Sequence, residues 1–294
     1  MNKEFLIDYL NTDSPSHNEI EAQRVWIKHF REKCEKNKNY AIIQDNYGNV
    51  ALHIKGKEET GKTNGIENKY IHKEPFKVVL DAHCDEIGWM VKRITDDGYI
   101  YVRRVGGTDN DTTPGTKVKI LTENGQKVNG VFGWIPIHLK DKDKEKAKKP
   151  EDDNIFIDVG AQSKEEVIVE LGIELGNHIV VNREAEIIND KIVIGKSLDD
   201  KIGGFILMEV LKKLQKENIQ LPYDLYVVNS VQEETGTRGA HMIADTIKPD
   251  VALCFDACFD TNTPMIDKNK WGDFKAGDGV VFRNGIDVHI NFFK

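Results

Sequence analysis

Three apolar runs in this chain each break off into acidic residues, and that pattern narrows the folds open to it. FKVVL (76–80) leads into Asp81, His83, Asp85 and Glu86; YVVNSV (226–231) leads into Glu233 and Glu234; VALCF (251–255) leads into Asp256. Helical segments lie between the later runs. The stretch 194–217 reads as a turn feeding an amphipathic helix, with Ile206, Leu207, Val210, Leu211 and Leu214 on one face, and 232–247 as a turn into another. Strands alternating with helices predict an α/β domain, and open α/β sheets bind ligands at the carboxyl ends of their strands. One His and several carboxylates are thus expected at one sheet edge.

The amino-terminal region fits the same domain. Phe5, Leu6, Tyr9 and Leu10 share one helical face, and Ile20, Val25, Trp26, Ile27 and Phe30 continue the pattern after Ser14-Pro15-Ser16. Ser16 to Glu19 reads as a capping box. AIIQDNYGNVALHI (41–54) reads as a hairpin, and residues 55–75 as a long polar loop. Between Gly88 and Val181 the texture changes to β-type runs in quick succession, among them WMVKRI, GYIYVRRV, KVKILT, KVNGVFGWIPI and NIFIDVG. That rhythm belongs to an all-β module, interrupted once by a lysine-rich stretch (139–153) that reads as a solvated loop. The expected organisation is an α/β domain from residues 1–88 and 188–294, with a small all-β domain, 89–187, inserted into it.

A chain of 294 residues with 39% hydrophobic and 31% charged residues has the composition of a globular protein. A net charge of −8 argues against nucleic acid or an anionic membrane as the main partner. The start lacks the apolar core of a secretory signal, and no run is long enough to span a membrane. Four scattered cysteines are no disulfide framework, so a reduced, cytoplasmic setting is expected. Cys254 and Cys258 lack zinc-ribbon spacing and read as buried structural thiols.

The acidic strand ends carry the chemistry. Carboxylates crowded into a partly dry cleft repel one another unless they hold protons or cations. His83 with the oxygens of Asp85, Asp199, Asp200, Glu233, Glu234 and Asp256 suits zinc, cobalt or manganese better than calcium. Adjacent Glu233 and Glu234 allow one to bind metal while its neighbour acts on water. The plainer alternative is that Asp199 or Asp200 caps the following helix. His-Glu-x-x-His, Gly-x-Ser-x-Gly and phosphate-loop patterns are absent, and Cys84 faces away from His83 on an extended strand, which disfavours a thiol nucleophile.

DAHCDEIGWMV, SLDDKIGG, VQEETGTRGA and PDVALCFDACFDTNTP, in that order, resemble the M42 family of metalloaminopeptidases, with GVFGWIPIHL and IFIDVGAQSKEE extending the likeness through the β module. The resemblance implies a zinc-peptidase-like α/β catalytic domain and a β domain that mediates dimerisation, with assembly up to dodecamers. It implies two divalent metal ions, zinc or cobalt with manganese an alternative, and peptide substrates. Carried over by position, His83, Asp199 and Asp256 match ligands of the first metal, and Asp199 with Glu234 matches ligands of the second. Glu233 matches the general base, and Asp85 the acid that orients a metal-binding His.

The family pattern continues beyond Lys294 with a Gly-Thr-Asp-Ala stretch and an Arg-Tyr-x-His-Ser stretch whose His completes the second site. His289, in VHINFF, matches neither. The expectation is a first metal with three protein ligands, a weaker second site, an open sheet edge, and a chain that is a fragment or a truncated product. The leading function is removal of N-terminal residues from short peptides. The alternatives are a metal-dependent deacylase or carboxypeptidase of the same fold, or a catalytically silent binding or assembly protein. No motif in the sequence assigns a role to Glu86.

Overall fold

The computed structural model describes residues 2–34, 40–57, 76–140, 149–283, 285 and 288–289. Most of the polar loop 55–75 and of the lysine-rich stretch lies outside them. Residues 1–256 and 257–294 form two compact units.

The first unit opens with helices α1 (Lys3–Asn11) and α2 (Ile20–Cys34), then hairpin strands β1 (Tyr40–Gln44) and β2 (Val50–Ile54), then β3 (Lys77–His83). Six strands follow: β4 (Gly88–Ile94), β5 (Ile100–Val105), β6 (Lys117–Leu121), β7 (Lys127–Gly133), β8 (Phe156–Asp158) and β9 (His178–Val181). A two-stranded ribbon, β10 (Glu186–Ile188) and β11 (Ile192–Ile194), leads to helix α3 (Leu198–Lys216), strand β12 (Asp224–Ser230), helix α4 (Arg238–Ile247) and strand β13 (Val251–Cys254).

The main sheet has the order β1-β2-β12-β3-β13. The hairpin is antiparallel, whereas β12 and β13 both run parallel to β3. The register pairs Ser230 with His83 and Cys254 with Asp81, so three carboxyl ends arrive at one edge. All seven residues of β12 are buried, as expected of a strand covered on both faces. Leu225 and Val227 pack with Tyr9, Trp26, Leu207 and Leu211 on the side of α1, α2 and α3, while Tyr226 and Val228 pack with Ile243 and Ile247 of α4. The result is a sheet covered on both faces, in keeping with the α/β domain expected from the sequence.

Strands β4-β5-β8-β7-β6-β9 close into a barrel. Its core contains Trp89, Val91, Val102, Val118, Ile120, Phe132, Ile157 and Ile179, side chains delivered by strands with an inward-outward alternation. The all-β reading of this stretch therefore holds, and closure leaves no long open strand edge.

Several local expectations fail. Ile20 and Ile206 are exposed. Leu207 and Leu211 of the expected α3 face are buried, and the rest of the buried stripe is Gly203, Gly204, Phe205 and Met208. Glycine forms part of that face because Trp26 Nε1 donates to Gly204 O (3.0 Å), and a Cβ on Gly204 would stand 3.0 Å from the Tyr9 hydroxyl. Counting only large apolar residues misses a face made by close backbone approach. The capping box at Ser16–Glu19 does not form: Ser16 Oγ donates to Asp85, and Glu19 accepts from the backbone N–H groups of His17 and Gln232. Cys84 is buried, but Cys254 and Cys258 are exposed. Strand β13 pairs only with β3 among the described residues, which leaves Cys254 on an outer strand.

The second unit contains the short helix α5 (Lys268–Trp271), with the Asp267 side chain accepting from Asn269 N–H at 2.9 Å. Thr261 and Phe274 bond through both backbone and hydroxyl, and Phe259 meets Trp271 edge-on at 5.5 Å. His289 falls in this unit. Among the described residues, no helix is long and apolar enough to cross a membrane.

Candidate metal centre

The parallel register brings His83, Asp199 and Asp256 together: one potential ligand atom from each lies within 4.8 Å of the other two. His83 ends β3, and Asp256 lies two residues past β13. Asp199 sits in the first turn of α3 with a non-helical backbone (φ −84°, ψ 112°). Its neighbour Asp200 behaves differently. Fully buried, it accepts from Gly203 N–H at 3.2 Å, three residues on, and so caps the regular part of the helix. The capping alternative and the site alternative are thus divided between adjacent residues.

The imidazole of His83 is 3% exposed and held from both sides. Nδ1 faces the Asp85 carbonyl (3.1 Å) and the Asp85 carboxylate (3.4 Å), both acceptors, so Nδ1 carries a proton. Nε2 points to Asp199 Oδ1 at 3.1 Å and Glu233 Oε2 at 3.9 Å. Fixing Nδ1 as the donor leaves Nε2 as the atom available to a cation.

Asp85 organises more than the imidazole. Its carboxylate accepts from Ser16 Oγ (2.5 Å), Glu233 N–H (2.9 Å) and Glu234 N–H (3.1 Å). Both glutamates leave β12 through Gln232, whose φ of +55° lies in the left-handed region. Glu19 holds the Gln232 N–H and Tyr47 donates to the Gln232 side chain, so the turn is braced on both sides. The barrel supplies a wall. Gly106, at φ +78°, follows β5, and a Cβ there would come within 3.2 Å of Glu234 Cβ. Ser16, Glu19 and Gly106 are absent from the sequence-level site. Their partners lie far off in the chain, and Ser16 and Glu19 had a local capping explanation.

Burial alone would depress the His83 pKa. The hydrogen bonds to Asp199 and Asp85 reverse this and push it up to about 11. The bond from His83 is also the chief cause holding Asp199 below the usual carboxylate range. Asp85 is held low as well: burial works against its charge, but the His83, Ser16 and Glu233 contacts outweigh it. Burial pushes Asp200 up to about 8, and burial with the nearby Asp199 charge pushes Glu234 up to about 7. Glu233 is raised too, again mainly by burial.

Carboxyl groups pushed up by burial and by neighbouring charge mark an edge crowded with negative charge. One imidazole with carboxylate oxygens is a donor set that zinc, cobalt and manganese accept, so His83, Asp199 and Asp256 could hold a divalent cation between them. The residues fit a metal. Asp199 is 59% exposed and Glu233 34%, so among the described residues these two side chains reach solvent.

This is an α/β fold of the zinc-peptidase type, with a closed β-barrel within its first unit and a histidine–carboxylate centre on its sheet edge. The family described as M42 glutamyl aminopeptidase matches residues 63–290, and the chain belongs to the M42 peptidase family. It is 33% identical over 215 residues to a lysyl aminopeptidase of Pyrococcus furiosus, covering 73% of this chain and 56% of that one. Among solved structures, a TET aminopeptidase from the marine sediment archaeon Thaumarchaeota archaeon SCGC AB-539-E09 superposes with a TM-score of 0.77 at 29% identity, covering 89% of this chain and 67% of that one. The Pyrococcus horikoshii TET1 peptidase, which can assemble into a tetrahedron or a large octahedral shell, gives 0.69 at 27% identity, with 90% and 72% covered. The chain spans about half the length of the curated relatives it matches.

Proposed function

We propose that the chain carries the catalytic edge of a metal-dependent aminopeptidase that releases N-terminal residues from peptides. The observation that carries the reading is the meeting of His83, Asp199 and Asp256 at the carboxyl ends of parallel strands, with Glu233 beside them. His83, Asp199 and Asp256 would hold a first divalent ion, zinc, cobalt or manganese, and Asp199 with Glu234 would contribute to a second. Metal bound there supplies Lewis-acid polarisation of the peptide carbonyl and a more acidic water.

The protein groups do the rest. Asp85 fixes the His83 tautomer and, through the two N–H groups it accepts, the direction of the Glu233–Glu234 turn. Glu233 is partly buried with a raised pKa, which suits a carboxylate that takes a proton from water and returns it to the leaving amine. Its backbone is anchored by Asp85, so the side chain is presented from a fixed base.

The reading keeps residues 1–88 and 188–294 as the catalytic domain and 89–187 as an inserted β domain that mediates self-association. Support comes from the independent apolar core of the barrel and from the exposed Ile137 (75%) and Leu139 (71%) after β7. The assembly of the related TET1 peptidase points the same way. A cytoplasmic location fits the free thiols Cys84, Cys254 and Cys258.

Metal-loaded protein is expected to hydrolyse amino-acyl chromogenic substrates. Glu233→Gln should lower turnover by about 10²- to 10⁴-fold while metal content stays near the parent value. Loss of metal together with activity would make Glu233 a ligand instead of a base, and no turnover by the loaded parent protein would overturn the aminopeptidase reading.

A further inference from the structure

Glu86 follows the brace Asp85 and is buried, yet its carboxylate is fully occupied. Oε1 accepts from Ser14 N–H (2.8 Å) and Lys196 Nζ (2.7 Å), and Oε2 accepts from Lys196 Nζ (2.9 Å) and Ser197 Oγ (2.8 Å). Its side chain is 4% exposed, so it has no free face for a substrate amine. Lys196 also donates to Asp13 Oδ1 (2.8 Å), and Asp13 Oδ2 accepts from Lys127 Nζ of β7 (2.7 Å). Lys201, buried in α3, donates to Thr12 O and lies 4.0 Å from Glu86.

These contacts join segments that matter to the centre. Glu86 lies three residues after His83, and Lys196 and Ser197 lie just before Asp199. The backbone around Glu86 is itself tied to the loop after α1: Glu86 N–H donates to Ser14 O (2.9 Å), and Ser14 Oγ donates to Cys84 O (2.8 Å). The separation of His83 Nε2 and Asp199 Oδ1, 3.1 Å, depends on how the β3 exit and the α3 entry are held against each other.

We infer that Glu86 is a positioning residue for the metal centre: by gathering Lys196, Ser197 and Ser14 it fixes the β3 exit against the α3 entry, and through Lys196 and Asp13 it ties both to the barrel. It touches neither ligand and acts on their spacing alone. A carboxylate is suited to the task because it accepts four hydrogen bonds at once and carries the charge that keeps a buried lysine in place.

The inference rests on the metal reading above, and one titration separates the two. Metal-stripped protein is titrated with Co²⁺ and followed by its visible absorption, for the parent, Glu86→Gln, Ser197→Ala and the control Asp224→Asn. Asp224 is a buried carboxylate at the opposite end of β12, accepting from Gly56 N–H (2.9 Å) and meeting His53 Nε2 (3.0 Å). Glu86→Gln is expected to weaken Co²⁺ binding by at least about tenfold and to change the shape of the absorption band, as loss of an outer-sphere contact commonly does. Ser197→Ala, a milder change if Glu86→Gln does not fold, should weaken binding by a smaller factor in the same direction. Asp224→Asn should lower the melting temperature and leave affinity and band unchanged. Parent-like affinity and band in both Glu86→Gln and Ser197→Ala would overturn the inference while the metal reading stands. Equal loss in Asp224→Asn would reduce Glu86 to general stability. No Co²⁺ band in the parent would overturn the metal reading itself.

Discussion

The sheet edge and the barrel interior of the first unit bury opposite kinds of side chain. Inside the barrel, Val118, Ile120, Phe132, Ile157 and Ile179 are almost wholly inaccessible, and the module is held by apolar contact. At the sheet edge the buried groups are Asp13, His83, Asp85, Glu86, Asp200 and Lys201. Most of that charge is compensated by named partners, such as Lys196 between Asp13 and Glu86, or Ser16 and two backbone N–H groups on Asp85, whereas burial pushes Asp200 toward its neutral form. Burying charge opposes folding unless each group is paired. The contrast teaches that the barrel is built for stability, whereas the sheet edge accepts an electrostatic cost to hold a site.

The comparison can be broken from the barrel side. Ile120→Ala removes a fully buried side chain of β6, and it should cost about 2–5 kcal/mol of unfolding free energy in urea titration. Metal affinity of the folded fraction should stay at the parent value. A matching loss of affinity would show that barrel packing and the centre are one cooperative element.

A smaller effect tests the charged side. Burial works against the Asp13 charge, but Lys196 and Lys127 outweigh it and hold its pKa below the usual carboxylate range. A carboxyl with a depressed folded pKa contributes stability that is complete above its unfolded value, about pH 4, and is lost as pH falls through the folded value. The stability difference between the parent and Asp13→Asn should therefore be constant from pH 7 to about pH 5 and shrink below pH 4. A difference that does not change with acid would remove the Asp13 ion pairs from the energetics of the edge.

Periodicity and strand-end chemistry carried much of the fold. The buried run YVVNSV, the short β-type runs that recur between 88 and 181, and the acid-tipped strands are local patterns, each run legible in its own neighbourhood of the chain. The same logic placed carboxylates at one sheet edge, because parallel strands bring their carboxyl ends together. What stayed hidden depends on long-range pairing. Ser16 reaches Asp85 across 69 positions and Lys196 reaches Glu86 across 110, and no local pattern marks either. Ser16 and Glu19 also matched a capping box, so a sound local rule pointed away from their tertiary role. Ile206 was misplaced because Gly203 and Gly204 occupy the packed face of α3, and Cys254 because a strand's apolar sequence does not reveal whether it sits in the middle of a sheet or outside.

The central proposal is that His83, Asp199 and Asp256 would hold a divalent metal ion. Zinc competition against a chromophoric chelator, on metal-stripped parent protein and on His83→Ala, tests it most directly. The parent should bind zinc saturably, and His83→Ala should bind at least about 100-fold more weakly with its circular dichroism unchanged, since an inner ligand is worth no less than the outer contacts that support it. Equal zinc affinity in the two proteins would remove His83 from the centre and contradict the account.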